Sequence, residues 1–228
     1  MERVLRAKRM CNAERGLMTA SFGIGNLAEM EYISLNDYFL PKGNSRNVGE
    51  LLKKILRADG IIFSTPVYFA HYSSLLSEIF ENCRRRNISL MGKVVGFISV
   101  GAKRNGGQET TIVWSMWEVM ERGAVVVNDG SPASQFGGTC YAGSIGASCQ
   151  DDDFGIETSI GVGKRVVETA LILGAGNLSK KVKLGIWKMD NIEPMPMVEE
   201  LSGGEIIDLT QYHFHRCRGC EVCPNRPN

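Results

Sequence analysis

The stretch ADGIIFSTPVYFAHYSS, residues 58–74, decides how the chain is read. Ala58-Asp59-Gly60 closes a helical pattern. Ile61-Ile62-Phe63 follows as a short apolar run that breaks at Ser64-Thr65-Pro66. An aromatic turn, Val67-Tyr68-Phe69, then leads into a new helical pattern near Tyr72. A short apolar run bounded by turn residues is the pattern of a buried parallel strand. Loops at the carboxyl ends of such strands are where open α/β sheets bind ligands. Thr65 offers a hydroxyl, the residues after it offer backbone amides, and Tyr68 and Phe69 offer flat apolar faces, a set that suits a planar heteroaromatic ring. The same residues also suit an ordinary strand-to-helix loop whose aromatics cap the core. The stretch alone does not choose between these readings.

Working outward, residues 47–58 have helical spacing, with Val48, Leu51, Leu52, Ile55 and Leu56 on one face and Asp59-Gly60 as the stop. Before them, EMEYISL, residues 29–35, alternates and is expected as a strand, and residues 2–15 place Val4, Leu5, Ala7 and Met10-Cys11 on one face of an amphipathic helix. After the opening stretch, Leu75, Leu76, Ile79 and Phe80 continue a helix into Arg84-Arg85-Arg86, whose charges complement the helix C-terminus. KVVGFISV, residues 93–100, is a second buried strand. It empties into the Gly-rich turn GAKRNGGQE, residues 101–109, and a helix carrying Trp114, Met116, Trp117, Val119 and Met120. Such turns let backbone amides approach a ligand closely. AVVVN, residues 124–128, is a third strand, followed by a long loop, residues 129–152, expected to be functional. Asp151-Asp152-Asp153 is expected to cap the helix 154–173, in which Gly161 and Gly163 imply close packing against a neighbour. This alternation implies a doubly wound parallel sheet.

The 228 residues are 43% hydrophobic and 22% charged with net charge +1, enough for one medium-sized core. The near-neutral balance gives no electrostatic case for nucleic acid or an anionic membrane, and no apolar run reaches the roughly 18–20 residues of a span. Seven cysteines, an odd number in a chain without a legible secretory signal, point to metal or redox use in a cytoplasmic protein.

Three segments together resemble the flavodoxin-like NAD(P)H-dependent FMN reductase and iron–sulfur flavoprotein family. These are ADGIIFSTPVYFAHYSSLLSEIFENC, GKVVGFISVGAKRNGGQETTIVWSMWEVMERGAVVV and FGIETSIGVGKRVVETALIL, spanning about residues 45–173. The resemblance implies a flavodoxin-like three-layer α/β domain over residues 1–178 and an FMN isoalloxazine ring between two loops. Thr65, Pro66, Val67, Tyr68 and Phe69 would form one side, and Gly101, Ala102, Arg104, Asn105, Gly106, Gly107 and Gln108 the other. The flavin would carry the chemistry, so no side chain is expected as an acid–base catalyst, and His71 is expected as a surface or core histidine. Hydride would come from NAD(P)H and pass to a small-molecule or protein acceptor, in a homodimer or homotetramer. The family's first strand and its phosphate-cradling loop are not found; Phe22-Gly23-Ile24-Gly25-Asn26 lies after the first helix and does not replace them. A non-catalytic flavodoxin-like subunit, used for oligomerisation or docking, is the alternative that this departure leaves open.

Residues 179–228 are expected as an extension. KVKLGIW, residues 181–187, and GEIIDL, residues 204–209, read as strands that either complete the sheet or begin a second flavodoxin-like unit. The tail HFHRCRGCEVCPNRPN spaces Cys217, Cys220 and Cys223 as C-x-x-C-x-x-C before a proline, which resembles part of a bacterial-type iron–sulfur ligand set. A [4Fe–4S] cluster, a structural zinc and an unmetallated tail all fit; Cys11, Cys140, Cys149, His213, His215 or another subunit would supply the fourth ligand.

Overall fold

The computed structural model describes residues 11–39, 47–130, 136–143 and 148–175, and the backbone of 186–188 and 206–208. The chain divides into two compact units, Met1–Gly176 and Asn177–Asn228. In the first unit the order is α1 (Asn12–Ile24), α2 (Asn36–Phe39), α3 (Val48–Arg57), β1 (Gly60–Pro66), α4 (Ser74–Arg85), β2 (Val94–Gly101), α5 (Gln108–Met120), β3 (Val125–Val126), β4 (Gly138–Tyr141) and α6 (Asp153–Ala175). In the second, β5 (Ile186–Lys188) and β6 (Ile206–Asp208) form a two-stranded parallel sheet. Residues 181–185 of the KVKLGIW run lie outside the described residues.

Among the described residues the strand ladders of the first unit are all parallel, and β2 is their axis. β1 lies along one edge of β2, and β3 and β4 share the other. Every residue of β2 is buried, and its period-2 alternation divides the core in two. Val95 and Phe97 face the layer of α3, α4 and α5, where Phe97 stacks on Phe63 at 5.7 Å and Leu51, Leu76, Ile79 and Ile112 are buried. Val94, Ile98 and Val100 face α1 and α6, against Ala20, Val162 and Val166. The result is the three-layer α/β arrangement expected from the alternation.

Local chemistry explains the helices. Asn47 accepts a hydrogen bond from the Gly49 amide at 2.7 Å and starts α3; Ser73 does the same for α4 through the Leu76 amide at 3.4 Å. Leu51, Leu52 and Ile55 are buried on α3, whereas Leu56 turns outward. Arg84 pairs with Glu81 and, at 2.8 Å, with Glu118; Arg85 pairs with Glu81 at 2.7 Å. The basic run thus forms surface ion pairs at the end of α4. Gly163 behaves as expected: a Cβ there would stand 1.9 Å from the Ala20 carbonyl oxygen, because α6 lies directly on α1.

Three expectations are corrected. The amphipathic pattern at 2–15 anticipated a helix ending before residue 16. Instead, α1 begins at Asn12, after Cys11, whose amide donates to Glu14 at 2.9 Å, and runs through Phe22-Gly23-Ile24 to a cap at Gly25; residues 1–10 lie outside the described residues. The expected strand at 29–35 has no ladder partner among the described residues and is irregular, although Ile33 and Leu35 pack on the core. An alternating pattern becomes a strand only where another backbone lies alongside, and here a cleft does. Finally, the long loop 129–152 contains β4. Its four residues, GTCY, are too short and too glycine-rich to stand out by pattern.

Candidate functional site

β1, β2 and β4 point the same way and end nearly level, with Pro66 opposite Val100 and Tyr141 opposite Gly101. Their exit loops therefore gather at one edge of the sheet, the edge where open α/β sheets hold ligands.

The first loop is short and tied at both ends. Thr65 is buried; its hydroxyl accepts from the Ser73 amide at 3.0 Å and donates to the Pro66 carbonyl at 3.1 Å, so it closes the loop on itself. Pro66 and Val67 are half-buried, and the Val67 amide donates to the Val100 carbonyl at 3.0 Å. Tyr68 and His71 exchange backbone hydrogen bonds of 2.9 and 3.0 Å, which leaves Phe69 and Ala70 as a two-residue turn with φ of 51° and 61°. Two positive φ values in succession define a turn that normally carries Asn-Gly. With Cβ atoms present the left-handed conformation costs roughly 1–2 kcal/mol per residue. The turn nevertheless holds the Phe69 ring fully in solvent and Tyr68 more than half exposed. Backbone strain of this kind clusters at ligand and switch sites. His71 lies beside them, its ring centroid 4.0 Å from Tyr72 and 6.1 Å from Trp114.

The second loop leaves β2 at the buried Gly101. Ala102, Asn105 and Gly106 are exposed, and Arg104 and Gly107 are half-buried. Gln108, buried at the start of α5, braces it. Its amide nitrogen donates to the Lys103 carbonyl at 2.7 Å and to the Cys140 carbonyl at 3.1 Å, while its oxygen accepts from the Gly106 amide at 2.7 Å. The two loops touch at Gly107, where φ is 97° and a Cβ would sit 2.9 Å from the Ala70 Cα.

Arg104 turns away from the first loop toward β4. It donates to the Thr139 carbonyl at 2.6 Å, pairs with Asp152, and lies 5.2 and 5.1 Å from the ring centroids of Tyr141 and Phe154. Asp152 also accepts from the Tyr141 amide at 2.7 Å and the Gly155 amide at 3.0 Å. One carboxylate thus joins β4, the start of α6 and the second loop, which fulfils the capping role expected of the acidic triplet. A hollow of about 390 Å³ remains between Arg104, Asn105, Gly107, Gln108, Thr139 and Phe154.

The residues expected at a ring-binding site are therefore gathered at one edge, but with divided duties. Phe69, Tyr68, Ala102, Asn105 and Gly106 are exposed there, whereas Thr65, Arg104 and Gln108 hold the loops in shape. The bracing role of Gln108 was not legible, because it depends on β4 lying within reach. The exposed residues Ala102, Asn105 and Gly106, flanked by Gly101 and Gly107, leave room for the approach of a flat ring.

Of the described cysteines, Cys83, Cys140 and Cys149 are buried. Burial pushes the Cys140 thiol up to about 12 and the Cys149 thiol up to about 11. Cys140 is also hydrogen-bonded with Ser159 at 3.2 Å. Thiols held protonated are poor metal ligands and poor nucleophiles. Cys11 is exposed. Cys217, Cys220, Cys223, His213 and His215 lie outside the described residues, and among the described residues no group of three His, Cys, Asp or Glu side chains is placed to hold a metal. No helix among them is long and apolar enough to cross a membrane.

Comparison with known proteins bears on the family and the fold. The family described as NADPH-dependent FMN reductase matches residues 6–139. An iron–sulfur flavoprotein of Methanocaldococcus jannaschii is 40% identical over 129 residues, which cover 56% of this chain and 66% of the relative. An iron–sulfur flavoprotein of Methanosarcina thermophila is 35% identical over 126 residues, 54% of this chain and 61% of the relative. The chain thus spans slightly less than two thirds of the length of these two relatives. Among solved structures, a flavodoxin, WrbA-like protein from Agrobacterium tumefaciens superposes with a TM-score of 0.50 at 22% identity, covering 69% of this chain and 88% of that one. A flavone reductase gives 0.51 at 18%, covering 74% and 62%. These likenesses establish the flavodoxin-like α/β fold.

Proposed function

The chain belongs to the NADPH-dependent FMN reductase family, and from that premise we propose that it is a flavin-dependent oxidoreductase or electron-transfer protein. The FMN ring would lie between the turn at 66–70 and the loop at 101–108. The observation that carries the proposal is the contact of these loops at Gly107 and Ala70, beside exposed backbone and exposed aromatic rings at the carboxyl edge of a parallel sheet. Bound flavin would supply hydride and electron chemistry, which needs no acid–base side chain. The residues of the chain would position it. Gln108 and Arg104 would keep the second loop open and Gly107 would admit a close approach. Tyr68 and Phe69 would offer apolar faces that exclude water.

NAD(P)H is the donor we propose, with a small-molecule or protein acceptor. The similarity to iron–sulfur flavoproteins and the spacing of Cys217, Cys220 and Cys223 support an iron–sulfur cluster on the tail. Exposed Trp114, Trp117 and Met120 on α5 support self-association.

Titration of the purified, anaerobic full-length chain with FMN tests the central reading. Saturable quenching of flavin fluorescence, followed by bleaching of the bound flavin with NADPH, is expected. A chain that leaves FMN fluorescence unchanged defeats the reading. Iron and sulfide analysis tests the cluster, and stoichiometric zinc without iron removes it.

A further inference from the structure

Arg104 and Asp152 form an ion pair whose two partners are held very differently. The Asp152 side chain is 4% exposed and that of Arg104 34%. The carboxylate does not depend on the arginine for its place. Its Oδ2 accepts from the Tyr141 amide at 2.7 Å and its Oδ1 from the Gly155 amide at 3.0 Å, and it stands just before the positive end of α6. Gly155 is what admits it, since a Cβ there would collide with the carboxylate. Two backbone amides and a helix end thus stabilise this negative charge by themselves.

Arg104 has no comparable frame. It stands on the second loop between the exposed Lys103 and Asn105. Apart from Asp152, its contacts are the Thr139 carbonyl at 2.6 Å and the faces of Tyr141 and Phe154. A carbonyl and two ring faces attract a cation without neutralising it. Asp152 supplies the neutralising charge, and it is the fixed member of the pair.

The pair decides where a positive charge stands at the ligand edge. Arg104 is drawn toward β4, away from the first loop, and beside it lies the hollow of about 390 Å³ that Asn105, Gly107, Gln108, Thr139 and Phe154 help to line. A guanidinium released from Asp152 has room to turn into that hollow. Glu109, which also lines it, is exposed, and water screens a charge pair at such a position.

Charge at this place acts on a flavin. Hydride transfer from NAD(P)H adds two electrons and one proton to the ring, so the reduced ring carries one more negative charge. A nearby cation therefore favours the reduced form over the oxidised one, and protein charge beside the ring is one of the means by which its electronics are tuned.

We propose that Asp152 is a positioning residue that parks the Arg104 guanidinium away from the flavin and thereby holds down the reduction potential of the bound ring. This role rests on the flavin reading of the second loop. It leaves the loop to offer neutral backbone groups, and it makes the bound FMN a stronger reductant than a free arginine would allow.

The test compares the full-length parent with Asp152→Asn, Arg104→Gln and the double variant. Asparagine keeps an accepting oxygen and removes the charge. Asp152→Ser, which also keeps a helix-capping oxygen, should behave alike and serves if asparagine does not fold. In the flavin-free chain, Arg104 of the parent should give a resolved guanidinium signal by NMR, assigned by its loss in Arg104→Gln, and Asp152→Asn should collapse it. With FMN, Asp152→Asn should favour reduced over oxidised FMN by at least about tenfold more than the parent does, a rise of about 30 mV in the two-electron potential. In the Arg104→Gln background the same substitution should move that ratio by less than about threefold. A merely structural Asp152 would weaken both redox forms equally, and that result would overturn the proposal. A shift of full size without Arg104, or an Arg104 signal unaltered in Asp152→Asn, would overturn it too. A parent that binds no FMN defeats the flavin reading and this role with it. A parent that binds FMN at the same potential as Asp152→Asn defeats the parking role alone.

Discussion

Replacing Gln108 by leucine is the sharpest test of how the second loop is held. The side chain is 2% exposed and makes three hydrogen bonds, to the Lys103 and Cys140 carbonyls and from the Gly106 amide. Leucine keeps much of the volume and removes all three. A net intramolecular hydrogen bond is worth about 1 kcal/mol, and a buried group left unpaired costs about 1–3 kcal/mol more. Lys103 and Gly106 are exposed and can turn to water, so this penalty falls mainly on the buried Cys140. The total is about 4–6 kcal/mol, divided between global stability and local order of residues 102–107. If about 2 kcal/mol of it appears as a lost loop conformation, FMN affinity falls by roughly 30-fold. The assay pairs a thermal melt with an FMN fluorescence titration of the same preparation. Unchanged melting temperature together with unchanged FMN affinity would show that the brace holds nothing, and the reasoning would fail.

Further outcomes are expected elsewhere. Gly163→Val should destabilise the fold by at least about 3 kcal/mol, because a side chain would enter the Ala20 carbonyl with no room to relax; a denaturant midpoint close to that of the parent would contradict the close approach of α1 and α6. Ala70→Gly should stabilise the chain by about 0.5–1 kcal/mol by relieving the positive φ, read as a rise in midpoint; a fall would mean that the turn is not strained. Cys140, Cys149 and Tyr72 have folded pKa values raised from 9.0, 9.0 and 10.0 to about 12, about 11 and about 12. Their contribution is thus complete below about pH 9 and lost as pH rises from 9 toward 12, so denaturant midpoints measured from pH 8 to pH 11 should fall progressively. A flat profile would show that these groups ionise as readily in the fold as outside it.

Much of the fold could be read before any coordinates, for a physical reason. Helices α3, α4 and α5 and strands β1 and β2 carry their periodicity within themselves. A side chain such as Leu51 or Phe97 is inward whatever its distant neighbours do. Asn47 and Ser73 also act on amides only two or three residues away. Apart from the start of α1, which a local cap at Cys11 sets, the failures depend on distant partners. Residues 29–35 alternate well, yet alternation does not supply the strand to pair with. β4 is four residues long and exists because β2 offers it an edge. At the site, the glycines and aromatics of both loops were identifiable by type. The duties of Thr65, Arg104 and Gln108 were not, since each is set by an atom brought close only by folding: Ser73, Asp152 and Cys140 respectively.

β2 has two successive neighbours on its far edge, β3 beside Val94 and Val95 and β4 from Ile98 to Gly101. The ladder changes hands at Gly96 and Phe97, where a Cβ on Gly137 would come within 2.3 Å of the Phe97 carbonyl oxygen. In mechanical terms the sheet has a joint at that level. Among the described residues, the half of β2 that ends at the ligand loops is braced sideways on this edge by β4. β4 is in turn bolted to α6 through Asp152 and to the second loop through Gln108 and Arg104. The second loop is therefore tied to β4 and α6 as well as to β2 and α5, which it joins. From α6 the tie continues to α1 at the rigid contact of Gly163 with Ala20.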